Sequence, residues 1–286
     1  MSLAAQVVID VGSAAAPGSP HDAFLLSAAR AGAGVIVTTG ANVRAERRLT
    51  HELFGVGAAE LQAWRTAQRG DGADLPPCSV VLSRDPSLDL SHPLFSQPEA
   101  EAATTTILTD CRAAALALRR QCETEDRHAH VIELQGRALA LPISQSLVAY
   151  ARGVLFARQQ QLPPAGRPRR RRGGEEETVL LECGIRTMRG FYEHQAVDEL
   201  LLSVYRSSET AVEPLAREAQ GAAFLSWDAL GDYFGEAELA RGIEQQYDVR
   251  ESEKGAGGSW SFLRFRHDRK ALAPTTAARN GDICGI

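Results

Sequence analysis

A chain of 286 residues makes one large domain or two small ones, and 44% apolar residues suffice for a sizeable core. Its 31 basic and 36 acidic residues leave a formal charge of −5, which argues against nucleic acid as a partner. No apolar run reaches membrane-spanning length. The five cysteines (Cys78, Cys111, Cys122, Cys183 and Cys284) are irregularly spaced without a CxxC pair, which indicates neither a zinc site nor a disulfide framework and points to a reducing compartment.

In chain order, residues 5–11 read as a buried strand, followed by a small-residue loop over 12–18. Ser19-Pro20-His21-Asp22 starts a helix, with Ser19 as the cap, Pro20 in the first turn and Asp22 at the positive dipole end. Gly32 and Gly34 stop it, and 35–38 is the next strand, running into a loop over Gly40 to Glu46. Residues 57–69 form a further helix. Strands are expected at 79–83, 104–109 and 129–134, with a helix from Asp110 to about Cys122 and another from Ser144 to about Arg158. The apolar run Thr178-Val-Leu-Leu ends in a single acid, Glu182, then a glycine turn, a short helical pattern and a second apolar run over 197–205. Residues 244–253 and 259–266, around Gly255-Ala-Gly-Gly258, form an antiparallel hairpin. Strands alternating with helices argue for an α/β sheet with mostly parallel neighbours.

Several features carry no chemistry of their own. Gly32-Ala33-Gly34 precedes a strand and is no dinucleotide fingerprint. His128 and His130 share one face of an expected strand but have no third ligand nearby, so a metal is not expected. Arg169 to Arg172, beside Glu175 to Glu177, reads as a solvated surface loop spanning 159–177, with an assembly contact as the other reading. A glycine turn at a strand's carboxyl end is different. It lets backbone N–H groups approach an anion without a Cβ in the way, and the first turn of the next helix adds donors. A plain strand–helix turn is the other reading of Gly184.

Two such segments lie in one chain. Glu182, Gly184, Thr187 and Val197-Asp198-Glu199-Leu200 resemble the carboxyl-terminal reductase domain of the riboflavin-biosynthesis deaminase-reductases, relatives of dihydrofolate reductase, with Cys183 where a first Gly is expected. Thr39, Gly40, Arg44 and Glu46 fall on the family's earlier strand–turn motif, with Asn42 where Thr is usual. Ser259 to Arg266 is similar to its closing strand.

The resemblance implies a dihydrofolate-reductase-like α/β fold: a mostly parallel sheet with an antiparallel closing hairpin and flanking helices. It implies one domain over 1–267, followed by a polar tail at 268–286; the helix at 57–69 is extra to the minimal fold. It further implies hydride transfer from NADPH to a ribosylamino-pyrimidine phosphate. Thr39, Gly40, Arg44, Glu46, Cys183, Gly184 and Thr187 would frame the cofactor, and Asp10 and Glu182 are the catalytic candidates.

The first strand departs from the family. It reads Val-Ile-Asp10-Val-Gly where a Lys and a Ser-Leu-Asp-Gly segment are usual, and lysine occurs only at Lys254 and Lys270. Asp10 without a lysine repels a substrate phosphate, and Arg44 compensates only if it reaches across the cleft. The alternative expectation is a catalytically degenerate structural subunit of a larger, possibly organellar, assembly. A homodimer is the simpler partner. With no signal-peptide pattern at the start, the expected compartment is the cytoplasm or mitochondrial matrix.

Overall fold

The computed structural model describes residues 19–69, 77–95, 105–125, 129–134 and 178–184, single residues Thr187, Phe191 and Val197, and residues 199–207, 243–249 and 258–266. The expected strand at 5–11 with Asp10, the helix at 144–158, the 159–177 loop, His128 and the 268–286 tail lie outside the described residues.

Helix α1 spans Pro20–Gly32 and starts as its sequence dictates: the Ser19 hydroxyl accepts from the Asp22 N–H at 3.1 Å, with Pro20 at the first helical position. Strand β1 follows at once over Ala33–Thr39, with every residue buried. Gly34 is therefore not a helix stop. It lies inside β1, where the register against a neighbouring strand shifts between Ala33 and Val35, so its lack of a side chain serves a bulge. The expected loop after β1 is instead a short helix, α2, over Gly40–Ala45, because the Thr39 hydroxyl accepts from the Asn42 N–H at 3.2 Å.

Helix α3 (Ala58–Arg69) is the extra helix, and it packs on α1. Strands β2 (Cys78–Leu82) and β3 (Thr106–Thr109) are almost wholly buried. Helix α4 (Arg112–Thr124) begins two residues later than Asp110, after Cys111. Strands β4 (His130–Glu133) and β5 (Thr178–Leu181) complete a parallel five-stranded sheet of order β4-β3-β2-β1-β5. Near-continuous apolar strands are what a sheet covered on both faces requires. Val81, Ile107, Leu88, Leu90, Leu94 and Leu118, all fully buried, form the main core between this sheet, α4 and the segment after β2.

The remaining strands are antiparallel. β6 (Glu199–Ser207) and β7 (Ile243–Val249) flank β8 (Gly258–Arg266). The hairpin is as the sequence suggests, but the apolar run before it starts at Glu199 rather than Val197 and pairs with β8, Leu200 opposite Phe265. Phe262 of β8 lies 6.4 Å from the His21 ring, centroid to centroid, and so touches α1. Among the described residues no helix is long and apolar enough to cross a membrane, and no group of three or more metal-ligating side chains occurs.

Candidate functional site

The strand order places a switch point in the sheet. After β1 the chain moves to β2, β3 and β4 on one side, whereas β5 lies on the other side of β1. The segments leaving β1 and β5 therefore diverge, and crevices of this kind hold ligands in α/β sheets. Thr39, Gly40, Arg44 and Glu46 leave β1; Glu182, Cys183 and Gly184 leave β5. The two motifs thus meet as expected: Val37 pairs with Leu181, and the Glu182 N–H donates to the Val37 carbonyl at 2.7 Å.

Glu182 is held on every side. Its carboxylate takes a two-pronged pair of hydrogen bonds from Arg30 of α1, Nε to Oε1 and Nη2 to Oε2, each 2.7 Å. The side chains are 4% and 13% exposed, so water screens the pair poorly. The Asn42 amide donates to the Glu182 carbonyl at 3.1 Å and to the Thr38 hydroxyl at 3.3 Å. Asn42 thus ties α2 to β5 across the crevice.

Beyond Glu182 the surroundings open. An ideal Cβ built on Gly184 meets no atom of the described residues within 4 Å. No contact among the described residues demands glycine there, and none of them fills the space at its Cβ position. The Thr187 N–H donates to the Gly184 carbonyl at 3.0 Å, and Thr187 and Phe191 are helical, with Phe191 buried. Burial pushes the Cys183 thiol up to about 12, so it is a neutral wall and not a nucleophile.

Gly40 has the opposite character. A Cβ there would lie 2.7 Å from Ser83 Oγ and 3.1 Å from Ser83 Cβ. It is glycine so that the segments after β1 and β2 can close on each other. Arg44 is turned to the β2 side, its Nη1 2.8 Å from Asp85 Oδ2. The Ser87 hydroxyl and N–H donate to the other Asp85 oxygen at 2.6 and 2.8 Å and, with Arg44, hold that carboxyl below its usual range. The backbone carbonyl of Glu46 meets His92 Nε2 at 2.8 Å. Since His92 Nδ1 accepts from the Leu94 N–H at 3.2 Å, Nε2 carries the proton. Next along the edge, Arg84 makes a two-pronged pair with Asp110, whose carboxyl it holds low.

Sequence reading did not single out Arg30, Arg84, Asp85 or Asp110. Arg30 left a signal: it shares the buried stripe of α1 with Ser27 and Ala31, and an arginine on such a stripe needs a buried acid. The lone acid closing an apolar strand is the natural partner.

No protein-family model matches the chain, and no curated protein is significantly similar to it. Among solved structures, a pyrimidine reductase-like protein from Corynebacterium diphtheriae aligns over 91% of this chain and 89% of that one, with TM-score 0.51 and 18% identity. The chain shares that protein's fold. It is dihydrofolate-reductase-like, with the parallel sheet, flanking helices and antiparallel closing strands expected from the sequence. Two forms of Acinetobacter baumannii RibD align at 14% identity, with TM-scores of 0.44 and 0.47, and the chain spans 56% and 55% of their length.

Proposed function

We propose that this chain is an NADPH-dependent reductase of the riboflavin-biosynthesis type, acting on a ribosylamino-pyrimidine phosphate. The observation that carries the reading is the open backbone of Gly184 at the β1/β5 switch point. A phosphate placed there is approached by main-chain N–H groups with no Cβ between them. The residues present fit the cofactor: Gly184 leaves the room, Thr187 offers a hydroxyl, and Cys183 adds a neutral, half-buried wall rather than a repelling thiolate. On the same reading Thr39 and Gly40 open the segment that leaves β1, Arg44 and Glu46 stand on its β2 side, held to Asp85 and His92, and Asp10 is the remaining catalytic candidate.

NADPH, when bound, supplies the hydride; the protein supplies position and electrostatics. Here the chain's own charges matter. Arg44, the cation expected to offset Asp10, is engaged by Asp85 at 2.8 Å. The grip on a substrate phosphate is correspondingly weak. The expected result is NADPH binding, with oxidation in the presence of the ribosylamino-pyrimidine phosphate below about 1 per second, the floor of the usual enzyme range.

A second reading, a structural subunit of a larger assembly, is favoured by one observation: both Glu182 carboxylate oxygens are already engaged by Arg30. The same assay separates the two. A folded protein that binds no NADPH removes the reductase reading, and one that binds it without any oxidation favours the subunit.

A further inference from the structure

We propose that Arg30 is the positioning residue of this crevice: by gripping both carboxylate oxygens of Glu182 it fixes the backbone of Cys183 and Gly184, against which a nucleotide phosphate lies. The ligand half of this statement rests on the reductase reading; the loop half does not.

Every polar group of Glu182 is used, and by three different elements. Its N–H goes to β1 at 2.7 Å, its carbonyl receives the α2 amide of Asn42 at 3.1 Å, and its carboxylate receives Arg30 of α1. Arg30 is itself held from behind. Its Nη1 donates to the Glu52 carbonyl at 3.1 Å, and its guanidinium sits 5.3 Å from the centroid of the Phe54 ring. Arg65 of α3, 2% exposed, donates to the Arg30 carbonyl at 3.2 Å. The fork therefore cannot follow a moving loop.

Past Glu182 no hydrogen bond from Cys183 or Gly184 to another element occurs among the described residues. Gly184 is exposed with no described residue near its Cβ position, and its carbonyl bond to the Thr187 N–H is local to the turn. The turn inherits its place from Glu182. A planar fork meeting both carboxylate oxygens sets direction as well as distance, which an ammonium does not.

Cys183 reports on the loop without any ligand, because it is half-buried directly after Glu182, whereas Cys78 and Cys122 are buried elsewhere in the fold. The experiment uses the full chain with Cys111 and Cys284 replaced by Ser, a small disulfide reagent, and mass spectrometry of the labelled peptides. In Arg30→Lys, Cys183 should label at least tenfold faster than in the parent while Cys78 and Cys122 stay protected. Asn42→Ala, which removes only the carbonyl latch, should give a smaller acceleration of the same kind and covers the case in which Arg30→Lys does not fold. NADPH affinity should fall at least tenfold in Arg30→Lys.

An unchanged Cys183 rate in a folded Arg30→Lys protein overturns the proposal. So does simultaneous exposure of all three cysteines in both variants, since the contacts then only hold the fold together. A parent protein that binds no NADPH defeats the reductase reading but leaves the labelling result to decide the role of Arg30.

Discussion

Two arginine–carboxylate pairs line the carboxyl edge of the same sheet. At the β1/β5 end, Arg30 and Glu182 are 4% and 13% exposed; at the β2/β3 end, Arg84 and Asp110 are 70% and 13% exposed. The bonding is nearly identical, two-pronged in both, so the difference lies in the surroundings. A buried pair that loses one member leaves an uncompensated charge with no water to take its place. An exposed arginine is rehydrated when its partner goes. The first pair therefore holds the fold and the site loop, and the second decorates a surface.

The largest effect should come from splitting the buried pair. Glu182→Ala is expected to destabilise the protein by about 3–5 kcal/mol, measured by urea unfolding. A loss below about 1 kcal/mol would mean that Arg30 finds water, and the contrast between the two ends would collapse.

The buried end also carries a pH signature. His51 is 2% exposed, with Nδ1 2.7 Å from Ser79 Oγ and Nε2 unpartnered among the described residues. Burial, helped by the nearby Arg30 charge, lowers its pKa from 6.5 to about 3. The unfolded chain then takes up this proton first as pH falls. The stability from a neutral His51 is fully present above pH 6.5 and drains away toward about 3. Between neutrality and roughly pH 4 the loss is on the order of 3 kcal/mol, and His51→Asn should flatten that part of the stability profile. An equally steep profile in the variant would place the acid sensitivity elsewhere.

The two glycines sharpen the comparison at smaller scale. Gly40→Ala drives a Cβ into Ser83 and should cost about 1–3 kcal/mol, partly recovered by Ser83→Gly. Gly184→Ala meets nothing within 4 Å and should leave stability within about 0.5 kcal/mol of the parent. Of the two ion pairs the smaller effect is expected at the exposed end: Asp110→Ala, which leaves Arg84 to be rehydrated, should cost less than about 1 kcal/mol and fade with added salt.

What the sequence disclosed follows the same division. Continuous apolar runs ending in a turn gave β1, β2, β3 and β5, because a central parallel strand must be apolar on both faces. Ser19-Pro20 placed the start of α1 to the residue, since capping is local chemistry. Gly34 and the Gly40–Ala45 segment misled for a nonlocal reason: a bulge exists only against its neighbour β5, and a six-residue helix rests on the Thr39 hydroxyl and the Asn42 links rather than on periodicity. The motifs around Gly40 and Gly184 announced where the chain turns. The partner of Glu182 stayed hidden because it lies 152 residues away in the chain, with no spacing to reveal it.

The most direct test of the crevice is a fluorescence titration of NADPH into the parent and into Gly184→Val, with thermal unfolding of both recorded alongside. A branched side chain should fill the open space above the loop without disturbing the fold. The expected outcome is unchanged melting and a loss of about 2 kcal/mol in binding, roughly thirtyfold, comparable to one or two charge-assisted hydrogen bonds. Equal affinity in the two proteins would contradict a cofactor site at the β1/β5 switch point.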